Sequence, residues 1–178
     1  MKKFIVCLIV AITLSNCEIK VKTSNAQISR VTEEEWIKTS ESTGVFVKRL
    51  NIDEGYYKKD EGYEYFSFRA GSYSGYNQFR ELLCESILYV KPEKVWENCE
   101  SYIGKPFYEL INFSDCEGTM GPIVSKKLHE DFIKHRDKFE TYLKNIEDGV
   151  FVNYYMNVNN SFTKAFEMTS EGGVLIFA

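Results

Sequence analysis

The stretch from Gly121 to Phe177 constrains the fold more than any other part of this chain. Gly121-Pro122 marks a helix start, because proline suits the first helical turn. Behind it Val124, Leu128, Phe132, Phe139, Tyr142 and Leu143 recur at helical spacing and line one side. Asp148 is placed to cap a second helix, Gly149 to Ser170. Its apolar stripe is Phe151, Tyr154, Tyr155, Val158, Phe162, Ala165 and Phe166, with Asn153, Asn157, Asn159 and Asn160 largely off it. Gly172-Gly173 ends that helix, and Val174 to Phe177 is a continuous apolar run that reads as a buried strand. Two amphipathic helices and a strand must bury their apolar faces against another layer.

The middle of the chain supplies candidates for that layer. Thr32 with Glu35 forms a capping box, and Val31 with Trp36 a hydrophobic staple, for a helix that should stop at Gly44. Val45 to Leu50 and the aromatic run Tyr63 to Arg69 read as strands. Tyr76, Phe79, Leu82, Leu83 and Ile87 share one helical face, and Ser74 is placed to cap that helix. Pro92 opens a further helix, with Val95, Cys99, Tyr102 and Ile103 on one side, before Gly104-Lys105-Pro106 ends it. Phe107 to Phe113 fits either a strand or a single turn. Helices and strands mix without strict βαβ alternation, which predicts an α+β fold: one small domain over 31–178, a short sheet covered by several helices.

The N-terminus reads as an address. Lys2 and Lys3 precede the apolar run Phe4 to Leu14, followed by Ser15-Asn16-Cys17. A positive region, a short apolar region and a processing site form the layout of a secretory signal. As a helix the run would rise roughly 16 Å, about half a hydrocarbon core. Leu14-Ser15-Asn16-Cys17 resembles a bacterial lipobox, which implies lipidation of Cys17 and a signal peptide over residues 1–17; Asn16 departs from the usual small residue. Cleavage after Ala26, behind Ser24-Asn25, is the rival, and an uncleaved anchor is the third reading. Residues 18–30 are polar and read as a tether, so the protein is expected outside the cytoplasm, lipid-anchored, or secreted or periplasmic.

Composition narrows the partners. The apolar fraction of 44 % is enough for a core. Without Lys2 and Lys3 the balance is 20 basic to 26 acidic residues, with no basic cluster. Such a domain repels phosphate backbones and anionic lipid, so nucleic acid is not an expected partner, and membrane contact is expected only through an N-terminal lipid. Cys84, Cys99 and Cys116 could form one disulfide or serve as small buried hydrophobes. No Cys or His spacing points to zinc, and neither a metal nor a cofactor is expected.

Three segments could carry chemistry. The loop from Phe113 to Pro122 holds Asp115 and Glu117 with a thiol and hydroxyls beside a helix start. Carboxylates at i, i+2 can share a metal or split acid and base roles, and His129 could join them if the chain folds back. Helix capping by the same carboxylates is the plainer use. His129 and His135 are six residues apart and point about 240° from each other on a helix, unlike a zinc pair. Gly71-Ser72-Tyr73-Ser74-Gly75 sits between strand and helix, yet the centre is Tyr73 where a nucleophile elbow needs serine. Tyr63, Tyr65, Tyr73 and Tyr76 could line a protein- or sugar-binding surface, with half-buried strand positions the plainer use.

The segments GSYSGYNQFRELL, INFSDCEGTMGPIVSKKLHEDF and AFEMTSEGGVLIF together resemble a loosely defined group of uncharacterised bacterial proteins. The resemblance implies no activity and transfers no functional residue. The expectation is an exported bacterial interaction protein without catalysis, its partner another protein. The alternatives are a small hydrolase or metal-dependent enzyme using Asp115, Glu117 and His129, and an immunity-type protein whose acidity suits a basic partner.

Overall fold

In a computed structural model the helical pattern read from Gly121 onward becomes a helical hairpin. The structure describes residues 16–24, 30–31, 47–50, 55–58, 63–113, 118–146, 148–171 and 174–177, with side chains from residue 66 onward except at Gly118 and Val174. The described elements are β1 (Asn16–Ser24), β2 (Arg30–Val31), β3 (Val47–Leu50), β4 (Gly55–Lys58), β5 (Tyr63–Ser72), α1 (Tyr73–Leu88), α2 (Pro92–Glu97), α3 (Cys99–Tyr102), α4 (Tyr108–Ile111), β6 (Gly118–Met120), α5 (Pro122–Ile146), α6 (Gly149–Ser170) and β7 (Val174–Phe177). The capping-box helix after Thr32 lies outside the described residues.

Four strands form an antiparallel sheet in the order β5-β1-β7-β6, and β2-β4-β3 form a second, small sheet. The helices cover the first sheet, so the fold is α+β. Ile19 stands opposite Phe68 and Phe177, and Val21 opposite Phe66 and Leu175, so these positions share one face of the sheet. Phe68, Leu175 and Phe177 on that face pack into the core beneath α6.

Phe162 on α6 is the hub of that core. Its ring meets Phe68 edge-on at 5.0 Å and stacks with Phe79 at 5.5 Å, Phe132 at 5.8 Å and Phe166 at 5.9 Å. One side chain thereby joins the sheet, α1, α5 and its own helix.

Asp148 caps α6 as expected: its Oδ1 accepts from the Val150 and Phe151 N–H groups. Phe107–Phe113 resolves into the single turn α4, and the helix opened by Pro92 breaks at Asn98 into α2 and α3. Ser72, rather than Ser74, caps α1; its Oγ accepts from the Gly75 N–H at 3.1 Å, and the strand runs up to that residue. The tether reading needs correction, because Glu18 to Ser24 belong to β1, which pairs on both sides. Its polar residues alternate with Ile19, Val21 and Thr23, which is a strand pattern. The domain therefore includes residues 16–24 as well as the region after Arg30.

Candidate functional site

The start of β1 and the turn from β5 into α1 lie side by side. Asn16 pairs with Ser72 and Cys17 with Gly71, and the register shifts between Cys17 and Glu18, as at a β-bulge. Gly71 has φ +129°, a conformation that L side chains rarely adopt. A Cβ there would lie 2.7 Å from the Tyr154 hydroxyl, which donates a long bond, 3.5 Å, to the Ala70 carbonyl. Tyr154 therefore closes over the strand end from α6.

The first turns of α6 at this end are apolar and open to solvent. Val150 is 76 % exposed, Phe151 50 % and Tyr154 41 %, with Ile146 of α5 exposed just before the turn. The sequence stripe placed Phe151 and Tyr154 in the core. The buried face instead runs through Val152, Tyr155, Met156, Asn159, Phe162 and Phe166, so the apolar stripe continues beyond the layer that covers it. A stripe longer than its core is the signal in the sequence, and Val150 lies off that stripe.

Of the candidate catalytic residues Asp115, Glu117 and His129, His129 alone lies among the described residues. Asp115 and Glu117 lie outside them. His129 Nδ1 is 3.2 Å from the Thr163 carbonyl, so that nitrogen donates and the ring ties α5 to α6. His135 is partly buried with its Nε2 enclosed, and burial holds its pKa below the ordinary histidine value. Cys84 and Cys99 are free thiols. Burial, aided by Glu85, Glu93 and Glu81, pushes Cys84 up to about 12, which suits a packing residue rather than a nucleophile.

The tyrosine set divides. Tyr76 is fully buried, its ring against Phe162 and Phe177, so it cannot serve a binding surface. Tyr73 is half-buried against the core. Tyr63 and Tyr65 lie in β5, opposite Ser24 and Lys22 of β1.

Two polar arrangements were not anticipated. Lys127 donates to Glu109, to Asp131 at 3.0 Å and to the Lys105 carbonyl at 2.9 Å, while Asp131 accepts from the Phe107 N–H. This partly buried group clamps α4 and its left-handed lead residue Phe107 onto α5. An open cavity of about 410 Å³ lies between the end of α1 and α5, lined by Ser86, Tyr89, Lys138 and Tyr142 among others. Lys138 lies 4.2 Å from the centre of the exposed Tyr89 ring, and Tyr142 donates to Glu85 at 2.8 Å.

No family model, curated protein or solved structure matches the chain. No helix among the described residues is long and apolar enough to cross a membrane.

Proposed function

We propose that this chain is an exported bacterial protein, lipidated on Cys17, that acts at the cell envelope as an interaction domain without catalysis. One observation carries the reading: β1 begins at Asn16 and lies between β5 and β7. Cleavage after Ala26 would remove that strand from the sheet. Cleavage before Cys17 leaves Cys17 to Ser24 in place, which supports the lipobox over the Ala26 site. Lys2, Lys3 and the apolar run to Leu14 supply the signal it needs.

The interaction role is supported by exposed aromatic and apolar groups; Tyr76, being buried, is not among them. Tyr89 beside the α1–α5 cavity is the aromatic side chain best placed to meet a partner protein.

Fractionation of cells expressing the chain and its Cys17→Ser variant tests the anchor. The parent should sediment with membranes and the variant should be released. A variant that still sediments like the parent would refute lipidation at this residue.

A further inference from the structure

We propose that the end of the domain formed by Val150, Phe151 and Tyr154 rests in the membrane interface beside the lipid on Cys17. The inference rests on lipidation of Cys17 and adds an orientation and a lipid-binding surface. Register places Cys17 opposite Gly71, and paired antiparallel Cα atoms lie about 4.5–5.5 Å apart. The Tyr154 hydroxyl would be 2.7 Å from a Cβ on Gly71. The Cys17 Cα therefore lies within about 10 Å of that hydroxyl.

That spacing leaves the domain little freedom. Cys17 is itself paired with Gly71, so no flexible chain separates its acyl groups from the sheet. A bilayer holding those acyl groups must pass close to the same end of the domain. Phe162 lies against Phe68, and Tyr154 lies against Ala70 and Gly71, so the start of α6 points the same way as the start of β1. Val150 and Phe151 stand one turn further out, exposed and apolar, and Ile146 is exposed at the end of α5. Aromatic side chains with polar tips, such as Tyr154, favour the headgroup level, and apolar neighbours reach slightly deeper. The domain is acidic, so this contact depends on apolar burial and not on attraction to anionic headgroups.

The far end of the helical hairpin provides an internal control. Ile123 is as exposed as Val150 but stands at the opposite end of α5, about 35 Å from Ile146 along the helix axis. A patch that merely sticks to lipid would not distinguish the two ends; an anchored orientation does.

The test uses the full lipidated protein, purified from membranes and reconstituted in phosphatidylethanolamine–phosphatidylglycerol vesicles with brominated acyl chains. Phe151→Trp and Ile123→Trp are compared, each relative to the parent emission of Trp36 and Trp96. The indole introduced at 151 should shift to the blue and lose most of its emission to the bromines, while the one at 123 stays unquenched. Vesicle flotation separates the two levels of the reading. If the protein floats and the indole at 151 is unquenched, the membrane contact is overturned and the anchor stands. A blue-shifted but unquenched indole means that protein covers the patch, which also overturns it. If mass spectrometry finds no lipid on Cys17, both readings fall together.

Discussion

A chain that begins at Gln27 should not hold this fold, whereas one that begins at Cys17 should. Without β1, β7 keeps β6, a strand of three residues, as its partner among the described strands. Short two-stranded ribbons are marginal in water. If β7 leaves its place, the side chains of Leu175, Ile176 and Phe177 leave the interior with it. Burial of such side chains contributes about 1.5–3 kcal/mol each, so the loss is about 5–9 kcal/mol. A domain of this size has roughly 5–15 kcal/mol in total, so the shorter chain should be largely unfolded or close to it. Urea titration of both chains, followed by circular dichroism, measures the difference. The chain from Cys17 should give one cooperative transition. If the chain from Gln27 unfolds with the same midpoint and slope, β1 is dispensable and the argument for the lipobox fails with it.

Other substitutions probe the packing around that sheet. Phe162→Ala removes the ring shared by four elements and should destabilise by about 3–5 kcal/mol in the same titration, while an unchanged midpoint would refute its role as hub. Gly71→Ala forces a side chain into a positive-φ conformation and against the Tyr154 hydroxyl, at a cost of about 1–3 kcal/mol. Adding Tyr154→Phe should recover part of that loss, since it removes the close oxygen and leaves the backbone strain; full stability of Gly71→Ala alone would contradict the geometry. His135 titrates below its unfolded value because burial disfavours its charged form. Below about pH 6.5 the unfolded chain binds the proton first, so stability present above that pH should fall as the solution is acidified. His135→Gln should reduce that fall as the pH is lowered below about 6.5, and an identical pH profile would show that the ring does not contribute.

The legible parts of this sequence were the long periodic ones. α5 and α6 carry several turns of apolar repeat, and Asp148 marks the start of α6 with a side chain that caps it. Val174 to Phe177 was readable because four consecutive apolar residues beside two glycines fit few other uses. β1 was hidden by its charges: Glu18, Lys20 and Lys22 look like a solvated linker until Ile19 and Val21 are seen to alternate with them. β6 is too short to show a period, and it sits at the end of a loop whose acidic residues drew attention to chemistry. Phe151 and Tyr154 fall on the apolar stripe because periodicity gives the angle of a residue on its helix. It does not say how far along the helix the covering layer extends. Tyr76 shows the converse, a polar tip that did not keep its ring at the surface.

Where the mature chain begins decides between a lipid anchor and release. Mass spectrometry of the N-terminal peptide from the membrane fraction reads this directly. The expected result is a chain starting at Cys17 with a diacylglyceryl mass on that residue. An unmodified N-terminus at Gln27 would contradict the lipobox, the anchored orientation and the structural role given to β1.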